Sequence, residues 1–374
     1  MIFRSLIFSA LFGFLVLARA ASPVMETQVL ASGLQNPWAL AFIGNGDMLV
    51  TERAGRLRLV NAKGQVSEPI SGLPTVQAGR QGGLLDLITD SDFKSNRTLY
   101  FCYTAPDPDS PTSGANSTAL ASAKLSADAR QLIDVKVLFR QTPTFVGGLH
   151  FGCRIVESPD GKLFLGLGDR YSLMQEAQNL QNHIGKIIRI NKDGTVPKDN
   201  PFVGRAGVAP EIWSYGHRNI QGATLDTKGQ LWMHEHGPQG GDELNLIRPG
   251  LNYGWPKITY GENYGGGKIG EGLTQAPGME QPVVQWTPSI APAGLAQITS
   301  DRYGDAWRNS FILGSLKFRY PVRLSMDGNN VDSQEVFLKD LSQRVRDVRQ
   351  GPDGFIYLLT DRTDGQLIRL VPTP

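Results

Sequence analysis

The chain has 374 residues, 40% of them hydrophobic, with 37 Lys plus Arg against 35 Asp plus Glu. That hydrophobic share excludes an intrinsically disordered polymer. The near balance of charge shows neither the basic excess nor the basic stripe of a nucleic-acid binder, so the expected partner is small and uncharged.

The N-terminus reads as a secretory signal peptide over residues 1–20: Arg4, an apolar run from Leu6 to Leu17, then Ala18-Arg19-Ala20 as a small-x-small cleavage site. The run is too short to cross a bilayer, which takes about 20 residues. Cleavage removes Arg4 and Arg19 and leaves 35 basic against 35 acidic residues, a net charge of zero. No later segment carries an apolar stretch long enough to span a membrane. The mature chain is expected to be periplasmic or secreted, without stable membrane insertion.

Residues 21–374 read as one all-β domain. With 43 Gly and 23 Pro, short β-rich runs prevail over helix-period patterns. A turn feeding a strand recurs at Gly44–Val50, Pro159–Leu165, Thr227–Met233 and Pro352–Leu358. Its turn glycines, 46, 161, 229 and 354, are 115, 68 and 125 residues apart, or two, one and two units of roughly sixty. Such a unit fits one four-stranded blade, and the mature length holds about six, which predicts a six-bladed β-propeller. A sandwich rarely reaches this length as one domain. Pro106–Asn116 and Gly261–Gly270 are expected as long inter-strand loops.

Cys102 and Cys153 are the only cysteines. An oxidising compartment permits them to pair, while Cys102 in Leu99–Tyr103 also reads as a small buried hydrophobe; the sequence leaves both open.

Several chemistries find no support. There is no G-x-S-x-G elbow, P-loop or H-E-x-x-H. Gly166-Leu-Gly168-Asp169-Arg170 contains G-x-G but closes a strand and lacks the third glycine. His234 and His236 share a strand face, yet too few His and Cys accompany them for zinc. What remains is a series of Gly-flanked polar clusters at strand ends, around Gln81, His150, Arg218-Asn219, Glu235–Glu243, Asn252–Pro256, Lys317 and Arg344–Arg346. Glycines there let backbone approach a ligand, and loops of successive blades can converge on one channel mouth.

In order, Leu34–Trp38, Arg80–Leu85, His150–Gly152, Gly216–Asn219, Glu235–Pro238, Asn252–Pro256, Pro288–Pro292 and Arg344–Asp347 make the chain resemble the pyrroloquinoline quinone (PQQ)-dependent soluble aldose sugar dehydrogenases, the glucose/sorbosone dehydrogenase family. The resemblance implies a six-bladed propeller with PQQ across the channel mouth. It implies that His150 is the general base taking the proton of an aldose C1 hydroxyl while hydride passes to PQQ, giving a lactone, and that Arg218 steadies the developing oxyanion. Cofactor contacts are implied for Gln81, Arg218, Asn219, Tyr264, Lys317, Arg344 and Arg346, types suited to a tricarboxylate. One Ca²⁺ is implied at main-chain oxygens of Gly237 and Pro238, and a second at Glu243 and the main-chain oxygen of Tyr253, although Glu243 could instead pair with Arg248 on the surface. An external electron acceptor is needed to turn the enzyme over.

Two departures from the family pattern stand out. Leu149 precedes His150 where the glucose-oxidising branch has Asp, which implies a histidine without an orienting carboxylate, and Ile220 replaces a Pro after Arg218-Asn219. The rival functions on this scaffold are a non-catalytic sugar- or protein-binding propeller and a Ca²⁺-dependent lactonase. The first needs no base, and the second wants acids converging on its metal where these loops are rich in Arg, Lys and Gly.

Overall fold

Strands alternate with tight turns along almost the whole chain, and they assemble into six antiparallel sheets arranged as a propeller. The structure, a computed structural model, describes residues 23–373; the signal peptide expected over residues 1–20 lies outside the described residues. Blade 1 comprises Pro37–Gly44, Asp47–Glu52 and Arg56–Val60. Blade 2 comprises Leu84–Thr89, Thr98–Pro106, Asn116–Leu125 and Leu132–Arg140. Blade 3 runs through Gly152–Glu157, Lys162–Leu167, Lys186–Asn191 and Ile212–Tyr215, and blade 4 through Ile220–Leu225, Leu231–Glu235, Asp242–Ile247 and Val284–Trp286. Blade 5 holds Pro292–Gln297, Phe311–Ser315, Pro321–Asp327 and Asn330–Val336. Blade 6 holds Val345–Gln350, Ile356–Thr360 and Gly365–Pro372, and takes Met25–Leu34 from the other end of the chain as its outer strand.

Five sheets therefore have four strands. Blade 1 has three, but residues 66–70 run along its outer edge, where Ser67 N–H donates to Leu59 O and Ile70 N–H to Leu57 O, each at 2.8 Å. The four repeat glycines fall where the sixty-residue unit predicts, each in the turn between the first and second strands of blades 1, 3, 4 and 6. Their φ values of +80°, +72°, +75° and +81° explain the residue type, since only glycine adopts that conformation freely.

The first strand of each blade packs against the first strand of the next, and the ring closes from blade 6 onto blade 1. These inner strands are buried on both faces; Leu84–Leu87 and Gly152–Val156 are buried throughout. The outer strand Asn330–Val336 instead alternates exposed and half-buried positions. The axis is crossed by charge. Arg154 of blade 3, only 2% exposed, meets Asp347 at 2.9 Å and Asp86 at 3.4 Å, and Arg349 bonds the same two carboxylates. Arg154 also stacks on Trp38, its guanidinium carbon 4.0 Å from a ring centroid. The two predicted loops are loops here, the first inside a blade 2 hairpin and the second in the long excursion before Val284–Trp286.

Cys102 and Cys153 form a disulfide between blades 2 and 3, with Cα atoms 5.7 Å apart, which decides between the two readings the sequence left open. It lies three residues from His150 and closes a sequence separation of 51 residues. Replacing both cysteines by Ala is expected to lower unfolding stability by about 2–4 kcal/mol. Denaturant titration of purified protein measures this, and an unchanged midpoint would show that the cross-link constrains nothing.

Candidate active site

First strands begin, and second strands end, at one mouth of the channel, and eight of the twelve sequence-predicted residues lie at these junctions. Gln81, His150, Arg218-Asn219 and Arg344 precede first strands of blades 2, 3, 4 and 6; Gly237-Pro238 and Lys317 follow second strands of blades 4 and 5. The antiparallel pairing of each hairpin brings both kinds of junction to the same rim.

His150 is 5% exposed and takes φ +50°, held there because its N–H donates to Gln81 Oε1 at 2.9 Å and its carbonyl accepts from Arg170 N–H at 3.2 Å. Its Nδ1 lies 2.7 Å from Asp169 Oδ1. The expectation of a histidine without an orienting carboxylate is therefore corrected: the acid comes from the end of the second strand of blade 3 and not from the residue before His150. Asp169 is fixed in turn, its Oδ2 accepting from Trp255 Nε1 at 2.8 Å and its Oδ1 from Tyr171 N–H at 2.8 Å. An ionised carboxylate only accepts, so Nδ1 carries the proton and Nε2 is the basic nitrogen. Among the described residues no group hydrogen-bonds Nε2. Burial pushes the His150 pKa below its usual value; the Asp169 contact opposes this, and the charges of Arg218 and Arg170 reinforce it.

Gln81, Asn219, Lys317, Arg344 and Arg346 share a cavity of roughly 450 Å³. Arg53 and Arg319 join them, so five cationic side chains line it and no carboxylate does. The two alternate arginines of the predicted clamp do face one way: Arg344 Nη2 and Arg346 Nη2 reach Asp361 Oδ2 at 2.9 and 3.0 Å. Burial alone would raise the Asp361 pKa, but the Arg346 charge and the bonds from both arginines hold it well below the usual carboxylate range. Arg346 Nε is buried without a partner, a donor left for a ligand.

His150, Arg218 and Tyr264 line a neighbouring cavity of roughly 300 Å³ with Asp169, Tyr171 and Trp255. Tyr264, on the predicted loop, is 64% exposed and also lines, with Pro238 and Lys317, a third cavity of roughly 630 Å³. Arg218 Nη1 donates to the carbonyls of His236 and Gly237 at 2.9 and 2.7 Å, while its buried Nε has no partner.

Behind Arg218, Glu235 and Glu243 stand opposite each other on paired strands and, with Tyr253, line a space of roughly 10 Å³, about one water or ion. Burial first, and the Glu235 charge second, push the Glu243 pKa up. Glu243 accepts from Asn245 Nδ2 at 3.2 Å and makes no ion pair with Arg248, which overturns the surface-pair alternative. His234 and His236 do share a face, but their Nε2 atoms each lie 2.8 Å from carbonyls of Gly294 and Pro292 in blade 5. Among the described residues no group of three or more His, Cys, Asp and Glu side chains converges as a metal cage.

Asp169, Trp255 and Asp361 received no role in the sequence. Both aspartates follow the end of a second strand, as Gly237 and Lys317 do, and that position was the available signal.

The same architecture is found in known proteins. The Glucose / Sorbosone dehydrogenase family profile matches residues 34–369. Aldose sugar dehydrogenase YliI of Escherichia coli is 41% identical over 94% of this chain and 94% of its own length. The crystal structure of the soluble aldose sugar dehydrogenase from Escherichia coli in the apo-form superposes with a TM-score of 0.89 at 40% identity, over 94% of this chain and 100% of that one. The PQQ-bound aldose sugar dehydrogenase of Streptomyces coelicolor superposes with a TM-score of 0.76 at 28% identity, over 94% and 99% of the two chains. With a histidine–carboxylate pair beside a cationic cavity at the mouth of a six-bladed propeller, this chain is an oxidoreductase and belongs to the glucose/sorbosone dehydrogenase family of PQQ-type sugar dehydrogenases.

Proposed function

We propose that the chain oxidises the C1 hydroxyl of aldoses to lactones, using PQQ with Ca²⁺ and an external electron acceptor. The observation that carries this reading is the Asp169–His150 pair opening onto a mouth whose adjoining cavity is lined by five cations and no acid. A binding-only propeller has no use for an oriented base, and a metal lactonase needs acids where this wall has arginines. When bound, PQQ with its Ca²⁺ supplies a polarised two-electron acceptor for the hydride leaving C1.

The residues present fit that cofactor. Lys317, Arg344 and Arg346 would hold its carboxylates, with Gln81 and Asn219 as neutral partners and Tyr264 closing from the loop side. His150 Nε2 takes the C1 hydroxyl proton, and Asp169 stabilises the imidazolium that forms. Arg218 stabilises negative charge developing on oxygen. The Gly237 and Pro238 carbonyls would hold the cofactor's Ca²⁺. Gly237 O accepts from Arg218 here, so a cation held at that oxygen would compete with the guanidinium for it. Glu243 and the Tyr253 carbonyl would hold a second Ca²⁺, whose charge would offset the Glu235–Glu243 repulsion. No helix among the described residues is long and apolar enough to cross a membrane, and the disulfide suits an exported, periplasmic or secreted protein.

Four measurements test this reading. Arg344→Ala and Arg346→Ala should each weaken PQQ binding by about 1.5–3 kcal/mol, and titration curves that match wild type would refute the clamp. His150→Gln should cut aldose-dependent dye reduction about 10²–10⁴-fold with PQQ still bound; near-normal turnover would remove His150 from the mechanism. Since the folded His150 pKa is lowered and only neutral imidazole accepts a proton, the wild-type rate should rise through a step below pH 6.5 and stay level above it. Asp169→Asn, which removes a pKa-raising partner, should move that step to lower pH. Finally, Ca²⁺ should raise the melting temperature of metal-stripped protein, and Glu243→Gln should abolish part of that rise; equal shifts in both proteins would place calcium elsewhere.

A further inference from the structure

We propose that Tyr171 is a substrate-contacting, specificity-determining residue, whose ring forms the wall against which the C–H face of an aldopyranose packs while C1 is presented to His150. This rests on the reading of His150 as the residue that meets the sugar.

Three observations converge on it. The Tyr171 ring lies edge-to-face against the His150 imidazole, with centroids 5.3 Å apart and planes at 80°. It lines the same cavity of roughly 300 Å³ as His150 and Arg218, within the range of small-molecule sites, and is nonetheless 46% exposed. A large aromatic ring left half in water at the lip of a polar cavity offers a flat apolar face of the kind that the axial hydrogens of a pyranose cover.

The backbone beneath it is strained. Arg170 and Tyr171 have φ of +59° and +64°, and two successive bulky residues in the left-handed region do not arise from local preference. The turn is held by its surroundings. Arg170 is buried, and its guanidinium donates to Asn116 Oδ1 at 2.7 Å and to Gly147 O at 3.0 Å and stacks on Phe151 at 4.2 Å. The Tyr171 N–H is tied to the carboxylate that orients His150. One turn therefore sets the base and the ring in fixed relation, so a sugar resting on the ring meets the basic nitrogen in a defined orientation.

The test separates binding from turnover. PQQ-loaded wild type and the Tyr171→Phe, Tyr171→Leu and Tyr171→Ala variants are titrated calorimetrically with 1,5-anhydroglucitol, a pyranose with no C1 hydroxyl to oxidise. Leu and Ala should weaken binding about tenfold, or about 1.4 kcal/mol, whereas Phe keeps the ring and should recover all but about threefold. In aldose oxidation the same loss should appear mainly in KM. Tyr171→Ala also uncovers His150, so the step in the pH–rate profile should move up towards 6.5. Leu binding as well as Phe, or wild type showing no affinity for the analogue, overturns the proposal. Ring-dependent binding in a protein that oxidises no aldose would uphold the sugar contact and refute the oxidation. If the Ala variant fails to fold, the difference between Phe and Leu decides whether the ring holds the sugar.

Discussion

A buried arginine on the propeller axis fixes what surrounds it. Arg154 contacts Asp86 of blade 2 and Asp347 of blade 6, donates from Nε to the Gln221 carbonyl of blade 4, and lies over Trp38 of blade 1. Five of the six inner strands thus meet around one guanidinium. Arg349 completes a neutral set of two cations and two anions, which is the condition for keeping charge away from water. Removing one member would leave the others buried and unpaired, a loss of about 3–5 kcal/mol. In a propeller the blades touch mainly through side chains, so such an axial network sets how the inner strands are rotated and spaced.

The site inherits that order. Arg154 Nη2 donates to the carbonyl of Arg346 at 3.2 Å, so the axial charge directly supports the floor of the cationic cavity. The His150 ring is set by a second chain of contacts, from Trp255 through Asp169 to His150, which joins the blade 4 excursion to blade 3. Beside it, the disulfide ties Cys153 to blade 2. His150 is consequently oriented before any ligand arrives, while its burial favours the neutral imidazole, a preorganised arrangement.

How far the sequence could be read follows from the range of each signal. The turn glycines at 46, 161, 229 and 354 report a local backbone requirement, so they revealed the blade repeat. Gln81, His150, Arg218 and Arg344 stand in polar clusters at strand starts, most of them beside glycines, and were legible for the same reason. Asp169 was not. It sits in Gly166–Arg170, which as a string looks only like a failed nucleotide fingerprint, and its partner His150 is 19 residues away on a different junction. The expectation of a histidine without a carboxylate compared only position 149 with the family pattern, whereas the pairing of the two strands, with Leu167 opposite Gly152, brings residue 169 to the imidazole.

The sequence by itself determined the all-β class, the number of blades, the loops that carry chemistry and the family to which they belong, because turn geometry, strand alternation and motif order are all written in neighbouring residues. Only the tertiary structure decided that Met25–Leu34 closes blade 6 by pairing with Gly365–Pro372, that Cys102 meets Cys153, that Glu243 faces Glu235 and not Arg248, and that two arginines share Asp361. Each of these joins segments by strand register within a blade or by packing between neighbouring blades. Such contacts depend on where whole strands come to lie, and no local pattern of residues encodes that position.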